Sequence, residues 1–200
     1  KIKFVLTRHE QNAAHEADGY ARATGKPAAV LVTSGPGAAN TVTGIMTAYM
    51  DSVPMIVITG QSVRGMLGKD AFQEADIFNL TMPIVKHSYL LKSANDIPRV
   101  VKEAYHIATT GRPGPVLIDV PKDVGTELCT AALDAEMNLP GYKPEKRGYL
   151  PETLDFIADA LAKAKRPVII AGHGAALSRA EKELRELAEK LQIPVTSTLL

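Results

Sequence analysis

The chain has 200 residues, of which 46% are hydrophobic and 22% are charged, and this composition excludes a disordered or fibrous protein. Its 23 lysines and arginines nearly balance 22 aspartates and glutamates, so the net charge of +1 gives no reason to expect nucleic acid or an anionic membrane as a partner. The single cysteine, Cys129, excludes an internal disulfide and a multi-cysteine zinc site. No apolar run approaches the roughly 20 residues of a membrane-spanning helix, and no secretory signal is visible.

Short apolar runs alternate with amphipathic stretches along the chain, which is typical of repeated strand, helix, strand units. The sequence therefore predicts an α/β fold with a doubly wound, mostly parallel sheet that is buried on both faces. The predicted elements, in chain order, are strand 3–6, helix 11–24, strand 28–33, helix 36–49, strand 54–59, strand 84–91, helix 96–109, strand 116–120, helix 151–164, strand 167–171, helix 178–191 and strand 194–198.

Residues 125–150 have no clear periodicity and contain several glycines and prolines, which is typical of a linker between domains. We therefore expect a first domain over residues 1–124 and the beginning of a second α/β domain over residues 151–200. Pro151 favours a helix start, because proline is tolerated in the first helical turn. Since a strand is predicted at each end of the sequence, we expect the chain to be a segment of a longer polypeptide.

Two motifs follow the first two predicted strands, at the edge where open parallel sheets bind ligands. In Arg8-His9-Glu10-Gln11, a carboxylate pressed against a ligand would have a raised pKa and could share a proton with a ring nitrogen. The motif alone equally allows Glu10 to be a first-turn acid that complements the helix dipole. The loop over residues 33–40, Thr-Ser-Gly-Pro-Gly-Ala-Ala-Asn, has glycines for a tight turn, but its spacing is not that of a pyrophosphate loop. A flat ring lying on this loop fits better.

Two later motifs carry further candidates. The run Asp-Ala-Phe-Gln-Glu-Ala-Asp over residues 70–76 holds three acids that, on spacing alone, predict a solvated face. Arg112 lies between glycines and prolines, so it is either a rigid donor fork for a phosphate or flavin edge or a surface arginine in a stiff turn. The five histidines are dispersed, so no metal-binding spacing is predicted.

The order of the motifs is more specific than any one of them. RHEQ, TSGPGAAN, ITGQ with DAFQEAD, and GRPGPVLIDVPKDV follow one another as in the pyrimidine-binding domain of thiamine diphosphate enzymes. Within that family, the chain most resembles the catalytic large subunits of acetolactate synthases, strongly over residues 1–124 and more weakly over residues 151–200. The resemblance implies that pyruvate is decarboxylated on thiamine diphosphate and joined to a second 2-oxoacid, pyruvate or 2-oxobutyrate, in branched-chain amino-acid biosynthesis.

The resemblance also implies roles for individual residues. Glu10 corresponds to the acid that bonds N1′ of the cofactor's aminopyrimidine, and Gln73 to a glutamine that reaches the active site, so these two are the expected catalytic residues. Pro36 and Asn40 correspond to residues of the loop that contacts the pyrimidine. Two residues are implied to line the substrate channel: Phe72 and Lys122.

The family binds FAD as well, mainly in its middle domain, and Mg²⁺ through a GDG…N motif that this sequence lacks. No metal ligand is therefore expected in the chain. His173 departs from the family pattern, in which a small residue is common at that position. The residues implied to contact FAD are Arg112, Gly172, Gly174, Thr198 and Leu199.

Thiamine diphosphate binds between two subunits in this family, so the resemblance implies a homodimer or homotetramer, with a regulatory small subunit left open. The small-residue helix over 36–49 would then be an interface, whereas its composition alone also fits internal packing. We expect residues 1–200 alone to be inactive. The implied location is the cytoplasm in a prokaryote and a plastid or mitochondrion in a eukaryote.

Four alternatives are weaker. Glyoxylate carboligase lacks a counterpart of Glu10, and the catabolic, flavin-free acetolactate synthase lacks the DAFQEAD run. A 2-oxoacid decarboxylase remains an alternative within the same family. A non-catalytic nucleotide-binding domain would need no carboxylate at Glu10.

Overall fold

A computed structural model describes residues 2–144 and 148–199. The chain divides into two compact units, Lys1–Glu145 and Lys146–Leu200. Residues 145–147 of the predicted linker lie outside the described residues, so the finer boundaries at 124 and 150 stay predictions. In the described parts of the chain, no helix has both the length and the apolar character needed to cross a membrane.

The first unit is built on a four-stranded sheet in which all pairs are parallel and the strand order is β1, β2, β4, β3. This confirms the predicted α/β class with a mostly parallel sheet. Its helices and strands are α1 (Glu10–Thr24), β1 (Ala28–Val32), α2 (Pro36–Ala39), α3 (Val42–Met50), β2 (Met55–Gln61), α4 (Ile77–Thr81), β3 (His87–Leu90), α5 (Ile97–Thr109), β4 (Pro115–Pro121) and α6 (Lys122–Thr126).

The two central strands, β2 and β4, have apolar side chains on both faces because helices cover the sheet on both sides. Met55, Val57 and Leu117 pack in one core together with residues of α1 and α3. Val116 and Ile118 point the other way and pack in a second core with α5. The near-continuous apolar runs of these strands are what a doubly covered parallel sheet requires.

The second unit contains a smaller parallel sheet of two strands. Ile169 pairs with Val195 and Ala171 with Ser197, which is the beginning of an α/β arrangement. The elements of this unit are α7 (Pro151–Lys163), β5 (Ile169–Ala171), α8 (His173–Leu177), α9 (Glu181–Leu191) and β6 (Val195–Ser197).

Three expected elements differ from the structure. The prediction of a strand over 3–6 was wrong: these residues form no strand, and Leu6 is fully exposed. β1 pairs only with β2 among the described residues, and β-propensity without a neighbouring strand does not fix a strand. The helix predicted over 36–49 breaks after Ala39, and the one over 178–191 begins only at Glu181, because Arg179 has a left-handed backbone (φ 55°).

Helices α1 and α3 pack so closely that a side chain is excluded at one point of contact. A Cβ atom added at Gly44 would lie well inside van der Waals contact with the Cβ atom of Ala14, which is fully buried. Gly19, on α1, has open space around its added Cβ. Gly44 and Gly19 are therefore a matched pair for substitution by alanine, since one lies in a close contact and the other in open space.

We expect Gly44→Ala to destabilise the protein by about 1–3 kcal/mol, because the helices must move apart to accept the methyl group. Gly19→Ala should instead stabilise it by about 0.5–1 kcal/mol, since alanine is the better helix former and meets no neighbour. The check is chemical denaturation of both variants beside the wild type. Equal shifts in the two variants would contradict the close contact between α1 and α3.

Candidate functional site

Glu10 is the first residue of α1, and its carboxylate lies at the carboxyl edge of the sheet. His9 caps the helix by accepting a hydrogen bond from the Gln11 N–H, and Glu10 Oε2 accepts one from Asn40 Nδ2 at 3.1 Å. A hydrogen bond from its own backbone N–H, assisted by Asn40, lowers the pKa of Glu10. The carboxylate is partly exposed and well supplied with donors, which favours its charged form. The raised pKa was expected of a carboxylate pressed against a bound ligand, and it stays a prediction.

The loop after β1 fits against Glu10 only because it carries a glycine at position 37. A Cβ atom there would lie 2.5 Å from Thr33 Cγ2 and 3.3 Å from Glu10 Oε1. Pro36 begins α2 on the same loop, and Asn40 ends it. The structure thus brings the Glu10 carboxylate together with Asn40 and with Gly37, which follows Pro36 on the loop.

The same loop also contacts the segment that carries Gln73. Gly35 has a left-handed backbone (φ 58°), and a Cβ atom there would lie 2.5 Å from the carbonyl oxygen of Gln73. Gln73 itself has φ 54°, which is uncommon for a residue with a side chain. The contact between Gly35 and Gln73 is therefore a close approach of two backbones, and it places Gln73 at the same edge of the sheet as Glu10.

Residues 68–74 form a tight loop that is closed by its own acid. Glu74 Oε1 accepts a hydrogen bond from the Gly68 N–H at 2.5 Å, and Glu74 Oε2 accepts one from the Ala71 N–H at 2.8 Å. These amides lower the pKa of Glu74. The spacing of the three acids had predicted a solvated face. The structure shows instead that the Glu74 carboxylate is bound by backbone amides of its own loop. Phe72, at the tip, is 88% exposed.

Beneath this loop lies a buried carboxyl group that the sequence reasoning missed. Asp119 on β4 is 1% exposed and accepts hydrogen bonds from Thr59 Oγ1 at 2.7 Å and from Gln61 Nε2 at 2.9 Å. Burial raises the pKa of Asp119 to about 6, although the two hydrogen bonds oppose the shift. An acid inside the apolar run Val-Leu-Ile-Asp-Val was the signal that could have found it.

Lys122 lies at the same edge of the sheet, as the first residue of α6 directly after β4, and it is exposed. The start of α6 is fixed by an ion pair, because Arg64 Nε donates to Asp123 Oδ2 at 2.7 Å. The Arg64 backbone N–H donates to the other oxygen of Asp123 at 3.0 Å. The segment after β2 therefore holds the helix that carries Lys122.

Arg112 is not brought together with Glu10 and Gln73. It precedes β4 and so lies at the amino edge of the sheet, where its Nε donates to Ser52 Oγ at 2.7 Å and its Nη2 to the Met50 carbonyl at 2.9 Å. The rigid loop predicted around Arg112 thus holds its guanidinium against the end of α3.

In the second unit, a cleft of about 560 Å³ opens beside β5 and β6. Gly172, Thr198 and Leu199 line it, whereas Gly174 does not. A Cβ atom at Gly172 would lie 3.8 Å from Thr198 Oγ1. Within residues 2–144 and 148–199, no group of three or more histidine, cysteine or acidic side chains is arranged to hold a metal ion.

Comparison with known proteins assigns both units. Residues 1–80 match the family described as "Thiamine pyrophosphate enzyme, N-terminal TPP binding domain", and residues 154–200 match "Thiamine pyrophosphate enzyme, central domain". The chain belongs to the thiamine pyrophosphate enzymes. The motif order had indicated this family, and the site residues described above fall partly within its cofactor-binding domain.

The chain is also similar over its whole length to curated proteins. It is 52% identical to the acetolactate synthase of Arthrospira platensis, 50% identical to that of Mycobacterium bovis (strain ATCC BAA-935 / AF2122/97), and 52% identical to the acetolactate synthase large subunit of Lactococcus lactis subsp. lactis (strain IL1403). The alignments cover 100% of this chain and 35%, 32% and 34% of these relatives. The chain thus spans about a third of their length.

The raised pKa of Asp119 predicts a pH-dependent stability. The pKa of Asp119 is about 6 in the folded protein and 3.8 ordinarily, so the folded state binds this proton more tightly than the unfolded state. The stabilisation that results is fully present below pH 4 and is lost as the pH rises through 6. Other carboxylates titrate as well, so the signal is the difference between Asp119→Asn and the wild type. We expect the variant to gain roughly 2–3 kcal/mol relative to the wild type between pH 4 and pH 7.

The measurement is chemical denaturation of both proteins at several pH values in that range. A difference that stays constant with pH would contradict the raised pKa of Asp119.

Proposed function

We propose that the protein acts as an acetolactate synthase large subunit, which decarboxylates pyruvate and joins the product to a second 2-oxoacid, pyruvate or 2-oxobutyrate. The observation that carries the proposal is the placement of Glu10 against Gly37 and Asn40 at the carboxyl edge of the sheet. Identity of about 50% to acetolactate synthases across the whole chain supports the choice of this reaction within the family.

The residues at this edge fit thiamine diphosphate. Gly37 lets the loop backbone approach the partly exposed carboxylate of Glu10, and an accessible acid beside such a loop suits a flat ring that bonds to it. Thiamine diphosphate supplies a nucleophilic carbon and an electron sink for decarboxylation. Asn40 would orient the Glu10 carboxylate, and Glu10 would hold the proton shared with N1′ of the aminopyrimidine.

Four more residues of the first unit have proposed roles at this site. Pro36 would contact the pyrimidine, since it begins the short helix α2 beside Glu10. Gln73 would reach the reacting groups from its loop. The exposed side chains of Phe72 and Lys122 would line the approach of the substrate.

FAD is the second proposed cofactor. Gly172, Thr198 and Leu199 would contact it, which the cleft beside β5 and β6 supports. Gly174 and Arg112 are further residues proposed to contact FAD, as the family resemblance implies. The ligands of Mg²⁺ would come from outside residues 1–200.

A dimer or tetramer is the proposed assembly. Two methionines on α3 support it, since Met46 and Met50 are 51% and 60% exposed and a subunit interface would cover them. The bacterial origin of the relatives named above supports a cytoplasmic location.

The test uses the full-length protein with thiamine diphosphate and Mg²⁺, with and without FAD, and measures acetolactate formed from pyruvate. We expect Glu10→Gln to lower the rate by about 10²–10⁴-fold, because the amide cannot hold the shared proton. Glu16→Gln, on an exposed position of the same helix, is the matched control and should keep the wild-type rate.

Three outcomes would contradict parts of this proposal. Acetaldehyde in place of acetolactate would indicate a decarboxylase, and acetolactate formation that is independent of FAD would remove the flavin from the proposal. Equal rates for Glu10→Gln and Glu16→Gln would remove the proton-holding role from Glu10.

A further inference from the structure

The loop over residues 67–76 has to hold an unusual backbone without regular secondary structure. Gly68, Asp70 and Gln73 all have left-handed backbone angles, with φ values of 74°, 52° and 54°. Such conformations are unfavourable for residues with side chains and persist only where the surroundings impose them. Glu74 closes the loop on itself but does not attach it to the sheet.

Within the described residues, a hydrogen bond from one buried side chain attaches this loop to the sheet. Gln61, the last residue of β2, is 7% exposed, and its Nε2 donates both to the Ala75 carbonyl at 2.8 Å and to Asp119 Oδ2 at 2.9 Å. Its Oε1 accepts from the Ser62 N–H at 2.8 Å. Both N–H groups and the carbonyl of this amide are therefore engaged, and its orientation is fixed.

Asp119 keeps the amide of Gln61 in this orientation. It faces Gln61 with Oδ2 and is itself held through Oδ1 by Thr59, its register partner on β2. A buried carboxyl group is costly, and an apolar side chain could fill the same space without that cost. Unlike an apolar residue, Asp119 accepts a hydrogen bond from one N–H of Gln61, and this leaves the other N–H directed at the Ala75 carbonyl.

We propose that Gln61 and Asp119 are positioning residues, which anchor the loop of residues 67–76 to the two central strands and so hold Gln73 against Gly35. The anchored carbonyl belongs to Ala75, two residues after Gln73. β2 and β4 are the most deeply buried strands of the sheet, so they provide a rigid support. The effect on activity rests on the proposed function, whereas the anchoring of the loop does not.

The experiment compares Gln61→Met with Thr59→Val in the full-length protein. Each substitution removes a donor to Asp119 at nearly constant volume, but only Gln61→Met also frees Ala75. Amide hydrogen exchange of peptides covering residues 67–76, followed by mass spectrometry, reports the loop directly. We expect Gln61→Met to speed exchange there by about tenfold and Thr59→Val to change it less than about twofold.

Activity provides the second readout. We expect Gln61→Met to lower kcat for acetolactate formation while Thr59→Val keeps it. If Gln61 acts through Gln73, the losses in Gln61→Met and Gln73→Ala should not add in the double variant. Faster exchange in a protein that forms no acetolactate would overturn the proposed function and leave the anchor supported.

A second pair of variants decides the matter if Gln61→Met does not fold. Asp119→Asn keeps an oxygen for Gln61 and offers its amide to Thr59, so the loop should stay as protected as in the wild type. Asp119→Leu removes both contacts and should speed exchange in residues 67–76. Unchanged loop exchange in Gln61→Met, or equal exchange in the two Asp119 variants, would overturn the anchor.

Discussion

The parallel register between β2 and β4 is the constraint on which the candidate site depends. It places Thr59 opposite Asp119 and Gln61 opposite Pro121, so that both strands end at the same edge. The segments that follow these strands, and the one after β1, meet there for the same reason. A shift of one residue would turn Asp119 to the other face of the sheet and leave Gln61 without it.

Backbone contacts between loops complete the edge that the strands define. A Cβ atom at Gly60 would lie 3.3 Å from the Ser34 N atom, which brings the end of β2 close to the loop after β1. Gly35 and Gly37 continue this close approach toward Gln73 and Glu10. The site therefore relies on glycines where two backbone segments approach closely. It relies on buried polar side chains where a segment has to be held in place.

Two carboxyl groups at this edge have pKa values shifted in opposite directions, and their surroundings explain the difference. Glu10 is partly exposed and surrounded by donors, so its charged form is favoured. Asp119 is buried, so its charged form is disfavoured despite the hydrogen bonds from Thr59 and Gln61. The exposed acid suits proton exchange with a bound ring, and the buried acid suits the support of a neighbouring side chain.

The sequence by itself determined the α/β class, most of the strands and helices, and the family, because apolar periodicity and motif order are local properties of the chain. It also selected Glu10, Asn40 and Gln73, which carry the resemblance. Only the tertiary structure decided that residues 3–6 form no strand, and only it placed Asp119 beneath the loop of Gln73. Asp119 and Gln61 are separated by 58 residues, and a contact over that distance arises from strand register, which no local pattern specifies.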